Sequence, residues 1–272
     1  MTLQEFKFIY FWEWFHRAFA RLIGLIYTVP LITLVYYRKI EKKYLKNVLI
    51  IGLLLFVQAI IGWYMVKSGL FNRVDVSQYR LALHLTTAFI ILGFIFHTLF
   101  TYLLDKKLIP HQSIFSYELS HFFMLLLVFT FLQISYGAFV SGTHSGLLYN
   151  TWPLYNGDLL PDLLISQLKN FYTFFENREF IIFIHRTFAV LIFLFLIYLN
   201  YKIIVNRSSS KYLSLMIAFN LAFFIQAILG IAMTYLNIPW HLALIHQANS
   251  ITIFLLVLAM YILSLKSSQE IM

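Results

Sequence analysis

Apolar residues in this chain come in long unbroken runs, separated by short clusters of Lys, Arg, Asn and Ser. Seven runs are long enough to cross a bilayer, which takes about 20 residues: Ala18–Tyr37, Val48–Val66, Leu81–Leu104, Leu119–Val140, Phe180–Tyr201, Tyr212–Leu236 and Leu242–Leu265. No period-two alternation bounds them, so each reads as a helix rather than a barrel strand. Pro30 falls inside the first and predicts a kink there. The fold class is all-α: a polytopic membrane helical bundle. The N-terminus does not read as a signal peptide, because it opens with Glu5, Lys7 and Glu13 and lacks a basic leader and a small-residue cleavage site.

Composition narrows the class. Only 11% of the residues are charged, against about 25% in soluble domains. That excludes a water-soluble globular protein, a disordered chain and a free nucleic-acid binder. The net charge of +9 sits in inter-span loops, where it reads as a topology signal and a contact with anionic lipid. The loops with Arg38, Lys39, Lys42, Lys43 and Lys46, with Lys106 and Lys107, and with Lys202, Arg207 and Lys211, together with Lys266, belong on the cytoplasmic side. This puts the N-terminus outside, the C-terminus inside, and the longest loop, Ser141 to Glu179, on the outer face. The absence of cysteine excludes disulfides, thiolate metal sites, cysteine-bound iron–sulfur clusters and covalently attached c-type heme.

The two ends of the chain repeat each other. His16-Arg17-Ala18-Phe19-Ala20-Arg21-Leu22 parallels His185-Arg186-Thr187-Phe188-Ala189-Val190-Leu191. Gln58-Ala59-Ile60-Ile61-Gly62 parallels Gln226-Ala227-Ile228-Leu229-Gly230, at nearly the same distance from its histidine (42 and 41 residues). Leu81-Ala82-Leu83-His84 echoes Leu242-Ala243-Leu244-Ile245-His246. The halves divide at 1–110 and 111–272. The second half carries a span and an outer loop before its His-Arg helix, and the first half has no counterpart. Either the repeated unit has three helices and the second half carries an insertion, or a first helix is missing from this chain.

The repeat selects four of the nine histidines: His16, His84, His185 and His246, each near the start of its span and near the outer face. An ionisable group at membrane depth marks a functional site. Two histidines per half suit the axial positions of heme iron better than a four-ligand zinc site. Arg17 and Arg186 follow their histidines, as propionate partners or as interfacial anchors. His97, His111, His121, His144 and His241 read as structural. Glu13 lies three residues before His16, on the same helical face, while Ile182 holds the equivalent place before His185. One half thus has a candidate acid, base or electrostatic group that the other lacks. Glu13 paired with Arg17 at the interface is the plain structural alternative.

Glu13-Trp14-Phe15-His16-Arg17, Gly62-Trp63-Tyr64-Met65-Val66-Lys67-Ser68-Gly69-Leu70, Tyr79-Arg80-Leu81-Ala82-Leu83-His84, Tyr149-Asn150-Thr151-Trp152-Pro153-Leu154 and His246-Gln247 together resemble heme A synthase of the proteobacterial and mitochondrial type, over nearly the whole chain. The resemblance implies eight transmembrane helices, four plus four, of which this chain lacks the first. It implies an oxidoreductase that converts the C8 methyl of heme O to a formyl group, giving heme A for cytochrome oxidase. It implies heme b on His185 and His246, with Arg186 beside it. The substrate heme lies between His16 and His84, with Arg17, and Glu13 is the functional carboxylate. It further implies a bacterial inner membrane, or a mitochondrial one in a eukaryote. Heme O synthase and an electron-transfer protein are the implied partners, and homo-oligomerisation is left open. The four histidines alone also fit a di-heme b-type electron-transfer cytochrome, or a transporter or assembly scaffold.

Overall fold

The computed structural model describes residues 2–68, 76–109, 117–161, 172–205 and 210–269. His111, Arg207 and the Gly69-Leu70 end of one motif lie outside them. Eight α-helices are present among the described residues: α1 (Leu3–Tyr36), α2 (Lys42–Ser68), α3 (Gln78–Asp105), α4 (Tyr117–Gly142), α5 (Thr173–Glu176), α6 (Arg178–Val205), α7 (Ser210–Tyr235) and α8 (Trp240–Gln269). All but α5 are long and apolar enough to cross a membrane. The chain is thus an all-α, multi-pass membrane protein, and each of the seven expected spans falls on one of these helices.

The chain divides into two compact units, Met1–Tyr64 and Met65–Met272. In the first, α1 starts well ahead of the apolar run that announced it. A capping box explains the early start. The Glu5 N–H donates to Thr2 Oγ1 (3.3 Å) and the Thr2 N–H to Glu5 Oε2 (2.7 Å), satisfying donors at the helix end. At 34 residues and about 1.5 Å per residue, α1 is longer than the hydrocarbon layer is thick. The helix continues past Pro30 to Tyr36. There Arg38 adopts a left-handed conformation (φ 53°) and the Lys39 N–H reaches back to the Leu34 carbonyl (2.8 Å), a Schellman-type stop. The Tyr27 hydroxyl donates to the Val48 carbonyl (2.7 Å) and ties α1 to α2.

In the second unit α4, α6, α7 and α8 form a four-helix bundle. α6 packs on α4 and more lightly on α7; α8 packs on both α4 and α7; α3 lies against α4 and α8. α6 and α8 therefore occupy one diagonal of the bundle, α4 and α7 the other. The core is apolar, centred on the fully buried Phe123, Leu126, Leu199, Phe219, Val257 and Met260. Lipid tails are as apolar as this core, so close packing and interhelical hydrogen bonds supply the association. Asn200 and Asn220 exchange reciprocal amide hydrogen bonds (3.1 and 2.9 Å) between α6 and α7. Asn249 of α8 donates to the Ala222 carbonyl and to Gln226 Oε1 of α7, both at 2.8 Å.

Local structure is present between α4 and α6 among the described residues. A 3-10 turn covers Ser145–Leu147, a short bridge pairs Tyr155 with Asp158, and α5 precedes α6.

Candidate functional site

His185 and His246 stand at matching levels of the diagonal pair, seven residues into α6 from Arg178 and six into α8 from Trp240. Each keeps a buried Nδ1 that has no hydrogen-bond partner. An orphaned buried polar atom costs about 1–3 kcal/mol, and two on facing histidines at one level of a bundle need a physical reason. Neutral imidazole is the form that ligates metal. Two buried imidazoles at one level of diagonal helices suit a heme iron, whose protein ligands number at most two.

The other diagonal carries a matched pair of features. On α4, Gln133 Nε2 donates to the His185 carbonyl (3.0 Å) and lies 3.4 Å from His185 Nε2. One turn on, a Cβ added at Gly137 would sit 3.4 Å from His185 Cε1. On α7, a Cβ at Gly230 would sit 3.4 Å from His246 Cε1, and Gln226 is held by Asn249. The sequence comparison of the two ends overlooked Gln133-Ile134-Ser135-Tyr136-Gly137. The signal was available, because the spacing Gln-x3-Gly recurs at Gln58–Gly62, Gln133–Gly137 and Gln226–Gly230. Only its first and last residues repeat in all three copies, so a search for longer matches passes over it.

Arg186 contacts the segment between α4 and α5. Its Nη1 donates to the Thr151 carbonyl (3.0 Å) and its Nη2 to the Tyr149 carbonyl (3.2 Å). The guanidinium lies over the Tyr155 ring, 4.9 Å from the centroid. Burial pushes the Tyr155 phenol up from its ordinary pKa, and the neighbouring Arg186 charge pulls the other way. Tyr149, Tyr155 and the buried Ile182 form a small apolar cluster beneath. The Tyr235 hydroxyl adds a bond to the Trp152 carbonyl (2.8 Å), and Arg178 donates to the His144 carbonyl (2.7 Å). The motif Tyr149–Leu154 is therefore fastened to α6 and α7 through its backbone.

The first unit is built differently. Glu13 and Arg17 form an exposed ion pair one turn apart, at 3.3 Å, beside an exposed His16. His16 is not near the start of its helix, as the apolar run suggested, but lies 13 residues after Leu3. The capped, aromatic-rich turns before it carry too many polar residues to register as a span. His84 is half-buried, six residues into α3 from Gln78. Among the remaining histidines, His97, His121 and His241 are exposed, with His241 packed edge-on against Trp240.

Comparison with known proteins bears on this arrangement. Residues 1–258 match the COX15-CtaA family, described as cytochrome oxidase assembly protein. The chain belongs to this family. Its relatives include heme A synthase of Wolbachia pipientis wMel, 38% identical over 93% of this chain and 70% of the relative. Heme A synthase of Bartonella henselae is 35% identical over the same shares. Heme A synthase of Flavobacterium johnsoniae is 35% identical over 90% of this chain and 71% of its own length. All four repeated histidines and Glu13 fall within the matched residues.

Proposed function

We propose that the chain is a heme A synthase: a membrane oxidoreductase that takes the C8 methyl of heme O to a formyl group and so provides heme A for cytochrome oxidase. The observation that carries this reading is the pair of buried, partnerless imidazole nitrogens on His185 and His246, in a chain whose family and relatives bear that name. His185 and His246, in the bundle of residues 111–272, would hold heme b. His16 and His84 take the corresponding repeat positions within 1–110, and the family resemblance assigns them to the substrate heme. When bound, heme b supplies one-electron transfer between an external partner and the substrate.

The side chains have distinct tasks. Glu13 lies on the same face as His16 and is paired with Arg17 at 3.3 Å. A carboxylate there accepts a proton from the reacting methyl carbon or stabilises positive charge that develops on it. Arg17 keeps further N–H donors for a propionate of the substrate. Arg186 uses two of its five N–H donors on loop carbonyls, and its charge would face a heme b propionate. The apolar bundle keeps water from the iron ligands.

Loop charges put the N-terminus outside and the C-terminus in the cytoplasm, across a bacterial inner membrane or its mitochondrial counterpart. A heme O synthase and an electron-transfer protein are the proposed partners. The test is co-expression with a heme O source, followed by heme extraction and chromatography. Heme A is the expected product. Protein that retains heme b and leaves heme O unconverted would overturn the synthase reading in favour of a di-heme electron-transfer cytochrome.

A further inference from the structure

We propose that the Gln-x3-Gly unit of α4 and of α7 is a seat for an axial histidine: Gln133 with Gly137 positions His185, and Gln226 with Gly230 positions His246. This inference rests on the heme reading above and deepens it. Three observations carry it. The same two residue types recur at the same spacing on the diagonal opposite each histidine. Each glycine meets the same atom of its histidine, Cε1, at the same 3.4 Å from the position a Cβ would take. Each glutamine is also hydrogen-bonded to the histidine's own helix. Gln133 bonds the His185 carbonyl, and Gln226 accepts from Asn249, three residues after His246.

The physical division of labour follows. A Cβ at either glycine would meet the imidazole at the short limit of ordinary contact, and a branched side chain would displace the ring. The glutamine, one turn away on the same face, fixes the height and rotation of the histidine helix. At the His185 seat the amide also reaches the ring itself, at 3.4 Å from Nε2. Gln133 Oε1 is a buried acceptor without a partner, beside an imidazole whose Nδ1 also has none. A ligating histidine ordinarily passes its second ring N–H to such an acceptor, which sets ring orientation and ligand basicity. Simple helix packing through a small residue would account for the glycines. It would not account for a glutamine bonded to the histidine's helix in both copies.

The experiment uses purified full-length protein carrying heme b, with Gln133→Leu, Gln226→Leu, Gly137→Ala, Gly230→Ala and Gly137→Val. Low-temperature electron paramagnetic resonance reads the mutual orientation of the two imidazole planes from the largest g value of the low-spin ferric heme. A redox titration reads the ligand basicity, and transfer to apomyoglobin reads heme retention. The leucine and alanine variants should keep heme but shift the g value, and Gln133→Leu should also shift the midpoint potential. Gly137→Val should lose heme about 10-fold faster or more, the usual scale for a lost ligand-positioning partner. Leu132→Ala, on the exposed face of α4, should change none of the three. Wild-type protein with no low-spin bis-imidazole signal would overturn the heme reading itself. A wild-type signal that every seat variant leaves unchanged would overturn the histidine seat alone. If Gly137→Val does not fold, the g value of Gly137→Ala and Gln133→Leu decides.

Discussion

The two His-Arg segments share a sequence pattern and part ways in what their arginines do. In α1, Arg17 turns back one turn to Glu13 and stays at the surface of its helix. In α6 the position of Glu13 is taken by Ile182, buried with Tyr149 and Tyr155. Without an acidic partner on its own helix, Arg186 reaches outward to the carbonyls of Tyr149 and Thr151. A single change four residues upstream thus switches an arginine from a local ion pair to a clamp on a loop. One copy keeps a carboxylate beside its histidine. The other places its histidine in an apolar setting next to a fastened loop.

Ranked by expected effect, four variants test this contrast. His185→Ala or His246→Ala should abolish stable binding of heme b, because each removes one of the two proposed iron ligands; a pyridine hemochrome assay of purified protein measures it. Glu13→Gln should lower conversion of heme O about 100-fold or more, the usual scale for a lost acid–base or electrostatic group, with the heme b spectrum intact. Loss of that spectrum in the Glu13 variant would end the division of roles between the two copies.

Arg186→Lys ranks third. A lysine cannot donate to two carbonyls in a planar fork, so the variant should lose about 1–3 kcal/mol, read as a lower thermal midpoint and faster proteolysis of the outer loop. Arg17→Gln should be the mildest in stability, at most about 1 kcal/mol, since exposed ion pairs contribute little. Its informative reading is activity: a fall that Arg17→Lys restores would show that charge beside Glu13 matters. Equal activity in both variants would limit Arg17 to a surface anchor.

Much of this was legible along the chain. The seven spans follow from the unbroken apolar runs, since a bilayer core offers no partner to a backbone amide and leaves helices as the solution. The four repeated histidines and the Glu13/Ile182 asymmetry follow from comparing the two ends. Other features were not legible, for specific reasons. The early start of α1 depends on a capping box outside any apolar run. The partners of Arg186 lie 35 and 37 residues away, and nothing local to the His-Arg pair points to them. The role of Gln133 and Gly137 becomes visible only when α4 is set against α6.

The sequence by itself determined the class of protein, its spans, its internal repeat and the residue types available for iron ligation. All of these are properties of composition and spacing, which act through the solvent and through the helix period. Only the tertiary structure decided which helices stand diagonally, and therefore which histidines face each other. It alone decided which glycine leaves room for which imidazole, and that Arg186 holds a loop. Those outcomes depend on distances between residues far apart in the chain, and such distances exist only once the helices have packed.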